Sequence, residues 1–314
     1  LAQSINIPAV KVLYLAGMDN VIKNARKMGL ETLTSPDVYG LSLVLGGGAV
    51  KLIDLVEGYS TLANDGVKAD QTMILEVRDA AGKILEKLEK TENGGEKVVN
   101  HQLVRLVNNV LSDVDARRGL FQNSLSLTVL PDRDVALKTG TSDDYRDAWT
   151  IGYTPSLVAG VWAGNNDNSP MRRHGSSILA AVPIWSQFMS KVAGKLPRET
   201  FPRPDPVYSQ KPILAGDYSY GNQIHSILYY VNRNDPSGPE PLEPSSDPQF
   251  ENWEVGVLQW AEKNVANFTQ DYNKTGAPVW YGEASGEGAT SSAPPKIEIL
   301  EPKTGEFVGA EVKI

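Results

Sequence analysis

The segment "VALKTGTSDDYRDAWTIGY", residues 135–153, places a lysine, a glycine and three hydroxyl side chains next to one another. A glycine weakens a strand unless another backbone or a ligand must approach it closely. Threonine hydroxyls at an exposed strand edge can bind a carboxylate, and free strand N–H groups can pair with a substrate backbone or stabilise an oxyanion. Lys138 would add positive charge that orients an anionic substrate. A strand end running into a Gly-Thr turn would account for the same residues without chemistry.

Ser4-Ile5-Asn6 is a second candidate group, a serine and an amide on a loop just before a helix that has Pro8 in its first turn. Serine and asparagine are favoured N-cap residues, so either one could simply cap that helix. Serine-nucleophile acyl transferases, however, combine a serine–lysine cluster with a second Ser-x-Asn pair and a Lys-Thr-Gly strand. The two groups together therefore favour acyl transfer.

The composition excludes several other kinds of site. A net charge of −8 and a pI near 5.1 argue against nucleic acid as a partner, because phosphate binding needs a basic surface. The sequence has no cysteine, which excludes disulfides and thiolate chemistry. His101, His174 and His225 lie far apart, so they indicate neither a zinc site nor an obvious general base. The longest apolar run, 41–56, is interrupted by glycines and charges and does not predict a membrane span.

Apolar periodicity and turn residues predict helices first, then an antiparallel sheet, then a closing helix, an order typical of an α+β domain. The predicted helices span residues 7–17, 18–28, 50–62, 101–113 and 184–192, the last of them opened by Pro183. A hairpin is predicted within 72–89, and strands at 134–139, 147–153 and 156–164.

Three stretches carry a family resemblance: "SINIPAVKVLYLAG", "ALKTGTSDDYRDAWTIGYTPSLVAGVWAGNNDNSPM" and "AAVPIW". They resemble the transpeptidase domain of penicillin-binding proteins, most closely the bifunctional class A type that also carries a glycosyltransferase. The resemblance covers roughly residues 1–195. It implies a β-lactamase/transpeptidase-like fold, an antiparallel sheet flanked by helices.

The resemblance implies catalytic roles for Ser4 and Lys138. Ser4 would relay a proton between the nucleophile and the leaving group. Lys138 would keep the site electropositive and hold the Ser4 hydroxyl. Asn6 would bind the side-chain amide of the acyl donor.

The resemblance also assigns the rest of the strand to substrate binding. Thr139 and Thr141 would contact the carboxylate of the substrate or of a β-lactam. The Thr141 N–H would supply half of the oxyanion hole, a donor worth about 10²–10³ in rate. Gly140 would keep the strand edge open for the incoming peptide.

One part of the family's pattern is missing from this sequence. The family's nucleophile is a serine followed three residues later by lysine, upstream of the Ser-x-Asn motif, and no serine here has lysine in that position. Since Leu1 also stands in mid-pattern without a methionine or signal peptide, we expect the nucleophile to lie before Leu1. The given chain alone would then be inactive.

The resemblance therefore implies a peptidoglycan D,D-transpeptidase that works without a metal or organic cofactor. It would bind stem peptides ending in D-Ala-D-Ala, and β-lactams, at the outer face of the bacterial cytoplasmic membrane. An upstream membrane anchor, a glycosyltransferase domain and cell-wall synthesis partners are implied with it. The alternatives are a non-catalytic module that binds cell-wall peptide or a partner protein, and a serine β-lactamase.

The sequence changes character after residue 195. Residues 196–294 are proline-rich and predict a linker or extension, with one helix at 254–265. Residues 295–314 alternate as strand, turn and strand, and resemble the start of an immunoglobulin-like β module. The predicted domains are thus 1–195, 196–294 and 295–314.

Overall fold

The computed structural model describes residues 1–88, 95–172, 175–220 and 223–268. The predicted β module at 295–314 lies outside these residues. The helices in the described part are α1 Asn6–Ala16, α2 Met18–Lys27, α3 Pro36–Tyr39, α4 Leu52–Ala63, α5 His101–Ser112, α6 Val114–Phe121, α7 Ser177–Ala193, α8 Ile227–Tyr230 and α9 Phe250–Asn264. The strands are β1 Val67–Lys68, β2 Glu76–Arg78, β3 Ile84–Lys87, β4 Glu96–Lys97, β5 Ala136–Thr141, β6 Asp147–Thr154 and β7 Leu157–Gly164. None of the helices described is long and apolar enough to cross a membrane.

The central sheet has the antiparallel order β5-β6-β7, which confirms the three predicted strands. Lys138 pairs with Ile151, and Gly140 pairs with Trp149. Thr154 pairs with Leu157 across the tight turn that joins β6 to β7. Within the described residues β5 is therefore an edge strand, and it carries the Lys-Thr-Gly-Thr segment along that edge.

Helix α7 covers one face of this sheet through a buried tryptophan. Trp185 is fully buried, and its indole Nε1 donates to the Gly152 carbonyl at 3.2 Å. A Cβ atom at position 152 would lie 2.4 Å from the Trp185 ring, so only a glycine lets helix and strand approach this closely. The core around Trp185 consists of Phe121, Leu130, Val135, Leu137, Ala159, Val182, Met189 and Ala193.

The predicted start of α7 was wrong. The helix begins at Ser177, not at Ile184, and Pro183 lies inside it. A proline past the first turn removes a backbone hydrogen bond and costs about 3 kcal/mol in an isolated helix. Here Ala181 and Val182 are fully buried, and this packing supports the turn before the proline.

A buried arginine joins three elements in front of the sheet. Arg117, on the unpredicted helix α6, is 2% exposed and donates to the carbonyls of Leu111 at 3.0 Å, Thr128 at 3.1 Å and Val135 at 3.2 Å. Burial lowers the pKa of Arg117 to about 10. Because Val135 directly precedes β5, this guanidinium holds the start of the strand that carries Lys138.

The proline-rich segment contains packed side chains, although Tyr208 and Leu242 within it are exposed. Its buried apolar side chains are Phe201, Ile224, Leu228, Tyr230, Val231, Trp253 and Ala261. Helix α9 begins at Phe250, four residues before the predicted helix at 254–265. Around these buried side chains the chain differs from an extended linker, whereas the domain boundary at residue 195 stays a prediction.

Candidate functional site

The Lys138 ammonium connects the two candidate groups. Its Nζ donates to Ser4 Oγ at 2.8 Å and to the Thr139 carbonyl at 2.5 Å. Lys138 is half-buried, and burial lowers its pKa below the ordinary value for lysine. Its neighbours are a hydroxyl and a carbonyl, so its N–H groups can orient the serine oxygen.

Ser4 is held in a strained backbone conformation. Its φ is +58°, in the left-handed region that non-glycine residues rarely occupy, and its N–H donates to the Leu1 carbonyl at 3.0 Å. The N-cap of α1 is Ile5, and no side chain caps that helix end. The capping interpretation of Ser4 is therefore not observed, and strain of this kind is typical of functional sites.

Asn6 is the first residue of α1 and its side chain is exposed. It thus lies two residues beyond Ser4, at the helix end next to the Ser4–Lys138 pair. The Ser4-x-Asn6 spacing places the serine on the loop and the amide on the helix. An amide in this position is available to a ligand that approaches Ser4.

Thr139 is less open than the sequence predicts, and Thr141 is exposed but its hydroxyl already has partners. Thr139 is 7% exposed. Thr141 Oγ1 accepts from the Ser177 N–H at 3.0 Å and donates to Ser177 Oγ at 3.1 Å, at the first turn of α7. Thr141 therefore joins the end of β5 to the start of α7. Contact of either threonine with a carboxylate stays a prediction.

The turn after β5 is closed by Asp147. Asp147 Oδ2 accepts a hydrogen bond from Ser142 Oγ at 2.8 Å, and the Asp147 backbone N–H donates to Ser142 Oγ at 2.8 Å. Asp147 Oδ1 accepts from the Trp162 indole at 2.8 Å. Nearby, Arg146 forms an ion pair with Asp144 at 3.4 Å. Asp147 thus fixes the loop that follows Thr141. In the sequence, only the position of Ser142 five residues before Asp147 could have indicated this contact.

The rest of the described chain offers no competing centre. In the residues that the structure covers, no group of His, Asp and Glu side chains could hold a metal ion. Two surface depressions lie beside α2 and beside the loop 165–172, and neither is lined by Ser4 or Lys138. The chemistry-bearing residues therefore lie on an open face along the edge of β5.

Comparison with known proteins gives this arrangement a family. A sequence-family model described as the penicillin binding protein transpeptidase domain matches residues 1–190. The chain therefore belongs to the penicillin-binding protein transpeptidase family, as the resemblance implied. The β-lactamase/transpeptidase-like fold is confirmed in the same way by solved relatives.

Two curated relatives are similar to the chain. Penicillin-binding protein 1A of Aquifex aeolicus is 34% identical over 205 residues, which are 65% of this chain and 26% of that protein. Penicillin-binding protein 2D of Bacillus subtilis is 29% identical over 257 residues, 79% of this chain and 36% of that protein. The chain thus spans about a quarter to a third of the length of these relatives. The second match is longer than residues 1–195, so some of the similarity lies in the proline-rich segment.

Two solved structures share the fold. Penicillin-binding protein PonA1 of Mycobacterium tuberculosis has a TM-score of 0.53 and 25% identity, and the match covers 66% of this chain and 59% of that one. Penicillin-binding protein 1A of Haemophilus influenzae has a TM-score of 0.55 and 21% identity, covering 67% and 36%. The second likeness concerns the fold alone.

Proposed function

We propose that this chain forms one wall of the acyl-transfer site of a peptidoglycan D,D-transpeptidase. The observation that carries the proposal is the 2.8 Å hydrogen bond from Lys138 Nζ to Ser4 Oγ. It joins a Lys-Thr-Gly strand to a Ser-x-Asn loop, the combination that serine acyl transferases use. The enzyme would act at the outer face of the bacterial cytoplasmic membrane, where stem peptides ending in D-Ala-D-Ala are cross-linked.

In the proposed reaction a serine hydroxyl attacks the carbonyl of the penultimate D-Ala. The C–N bond to the terminal D-Ala breaks, and the serine proton passes through the Ser4 hydroxyl to the leaving amine. The amine of a neighbouring stem peptide then attacks the acyl-serine ester, which forms the cross-link and returns a proton to the serine. Ser4 needs a fixed hydrogen-bond partner for this relay, and Lys138 supplies it.

The lowered pKa of Lys138 suits this role. Burial makes its ammonium a better hydrogen-bond donor to Ser4 Oγ than a fully hydrated lysine would be. The same positive charge would attract the carboxylate of the substrate or of a β-lactam. Lys138 would therefore both orient the proton relay and keep the site electropositive.

Gly140 supports an open strand edge. Its φ is not positive, and a Cβ atom there would meet only Trp149 Cβ at 3.7 Å, an ordinary contact. Neither backbone conformation nor crowding within the described residues requires a glycine at this position. Close approach of a peptide is the reason that remains, with Thr139 and Thr141 as its hydroxyl contacts and the Thr141 N–H as an oxyanion donor. Asn6 would bind the acyl donor's amide.

The acylated serine itself is proposed to lie outside this sequence, because no Ser-x-x-Lys occurs in it. Two experiments test the proposal together. The intact protein that contains this chain should form a covalent adduct with a fluorescent penicillin and release D-alanine from a stem pentapeptide. The chain of residues 1–314 alone should form no adduct on a denaturing gel.

The absent Ser-x-x-Lys also favours a second candidate, a non-catalytic module that binds cell-wall peptide or a partner protein. An intact protein that binds stem peptide but is never acylated would support this module and overturn the transpeptidase. Rapid turnover of the penicillin adduct, with hydrolysis in place of transfer, would instead indicate a serine β-lactamase. Acylation of Ser4 or another serine of this chain would overturn the assigned roles.

A further inference from the structure

Helix α1 contacts the proline-rich segment through Tyr14 and Lys11. Tyr14 Oη donates to Asp247 Oδ1 at 2.9 Å. The Tyr14 ring meets the Trp253 ring edge-on, with centroids 5.6 Å apart, and the Arg233 guanidinium lies 4.6 Å from the Tyr14 centroid. Lys11, one turn earlier, places its Nζ 4.7 Å from the Trp253 centroid. Two neighbouring turns of α1 are thus held by residues more than 200 positions away in the chain.

The partner side of this contact is itself well anchored. Trp253 is 8% exposed. The next residue, Glu254, accepts from the Ser226 N–H at 2.9 Å and contacts His225 Nδ1 at 2.5 Å. Burial raises the pKa of Glu254, but the hydrogen bonds from His225 and Ser226 outweigh burial and leave it below its ordinary value. Helix α9 therefore presents Trp253 from a fixed position.

Helix α1 has one buried side chain, Leu13, and it also packs against Gly40–Leu45 and α2. Its Ile7 and Val12 side chains are 68% and 63% exposed. Fully burying a large apolar side chain contributes about 1.5–3 kcal/mol, so the Leu13 contact alone is a weak constraint on the orientation of an eleven-residue helix. The Tyr14 contacts add a constraint near the C-terminal end of the helix.

A displacement at Tyr14 is transmitted to the candidate site because α1 is a rigid rod. Ser4 precedes the helix by two residues, and Tyr14 lies about 12 Å along the axis from Asn6 at about 1.5 Å per residue. A small tilt at Tyr14 therefore moves the loop that carries Ser4. Misplacement of a reacting group by about 1 Å can cost about 100-fold in rate.

We propose that residues 223–264 act as a brace on α1, and that Trp253 and Asp247 are positioning residues for Ser4. They act through Tyr14 and touch neither substrate nor the reacting atoms. The proposal rests on the proposed transpeptidase function. It gives the packed part of the proline-rich segment a role in positioning Ser4 of that active site.

The test measures acylation of the intact protein by a fluorescent penicillin, with the non-covalent binding constant separated from the acylation rate constant. Trp253→Ala should lower the acylation rate constant about tenfold and change the binding constant less than about twofold, since Lys138 and β5 are untouched. Trp253→Phe keeps an aromatic edge for Tyr14 and should restore most of the rate.

Trp260→Ala is the matched control, because Trp260 lies on the same helix. It is 44% exposed and packs edge-on against Tyr218 with centroids 5.3 Å apart, not against α1. Its acylation rate constant should equal that of the wild type. An equal loss in Trp260→Ala and Trp253→Ala would show a general effect on α9 and overturn the brace.

Tyr14→Phe carries the test if Trp253→Ala fails to fold. This variant keeps the ring and loses only the hydrogen bond to Asp247, whereas Asp247→Asn keeps an oxygen acceptor. Tyr14→Phe should slow acylation and speed hydrogen exchange of the α1 amides, and Asp247→Asn should leave both near the wild type. Acylation at the wild-type rate in Tyr14→Phe and in every folded Trp253 variant overturns the brace alone. An unacylated wild type overturns the transpeptidase proposal as well.

Discussion

Lys138 Nζ lies 2.8 Å from Ser4 Oγ, although 134 residues separate them in the sequence. The strand that carries Lys138 is held at its start by Arg117 and at its end, through Thr141, by α7. Ser4 is held by its strained backbone and by α1. The pair therefore depends on elements from both ends of the described chain, and each of these elements can be tested.

Lys138→Ala in the intact protein should lower the rate of acylation by a fluorescent penicillin about 100-fold or more, as expected for loss of a donor that orients the reacting groups. The domain should stay folded, because removing a half-buried ammonium also removes its desolvation cost. Lys211→Ala is a matched control, since Lys211 is another lysine whose pKa burial lowers and whose Nζ donates to a carbonyl, that of Tyr230 at 2.9 Å. An unchanged rate in Lys138→Ala would remove Lys138 from the site.

Thr141→Val should lower the free energy of unfolding by about 1 kcal/mol, as for other lost helix-end acceptors. The valine has the threonine's shape but cannot accept from the Ser177 N–H at the start of α7. Thr141→Ser keeps the hydroxyl, so its free energy of unfolding should fall by less. Urea unfolding followed by circular dichroism measures the difference, and equal midpoints for the two variants would contradict the role of Thr141 at α7.

The protein should lose stability in alkali through two tyrosines, the partly buried Tyr59 and the buried Tyr153. Burial raises the pKa of Tyr59 to about 12 and also raises that of Tyr153, whose Oη donates to Asn108 Oδ1 at 2.7 Å. Both bind their protons more tightly folded than unfolded, so their stabilising contribution is complete below pH 10 and falls as the pH rises towards 12.

Urea midpoints at pH 9, 10 and 11 measure this loss. Tyr59→Phe removes one of the two ionisable groups. The urea midpoint of this variant should still fall between pH 10 and 11, but less steeply than that of the wild type. Tyr208→Phe, at a tyrosine that is 90% exposed, should lose stability with pH as the wild type does. The idea fails if Tyr59→Phe declines as steeply as the wild type.

Gly152→Ala should destabilise the domain by about 1–3 kcal/mol, because overpacking forces a core side chain to move. The new Cβ atom would lie 2.4 Å from the fully buried Trp185 ring. Gly194→Ala, at the end of α7, meets nothing within 4 Å and should be neutral or stabilising. Thermal unfolding of both variants and of the wild type makes the comparison. A Gly152→Ala protein as stable as Gly194→Ala would contradict the close approach.

Local patterns were sufficient to predict the elements that depend on local chemistry. The three strands of the central sheet, α1 and α5 follow from alternation, periodicity and turn residues, and the structure has them within two residues. The start of α7 could not be predicted from local patterns, because it depends on the burial of Ala181 and Val182 ahead of Pro183. The candidate residues came from motifs, whereas their meeting did not follow from any local signal.

The contact of Lys138 with Ser4 was implied by the family resemblance, whereas long-range contacts outside the family motifs could not be predicted. Arg117 is an ordinary charged residue of a short helix in the sequence, and only the fold brings three carbonyls to it. The contact of Tyr14 with Asp247 and Trp253 is of the same kind. The proline-rich composition of that segment predicted an extended chain. Composition alone carries no information on which side chains make tertiary contacts.

The distance in sequence between Tyr14 and Asp247 also sets an order of events during synthesis. The two residues are 233 positions apart, and ribosomes add about 5–20 residues per second, so roughly 10–50 s pass between their appearances. During that interval α1 has left the ribosome while its partner helix has not been made. The nascent chain must therefore carry α1 without its Tyr14 contacts until residues 247–253 have been made. The Ser4 loop would reach its final position only after that point.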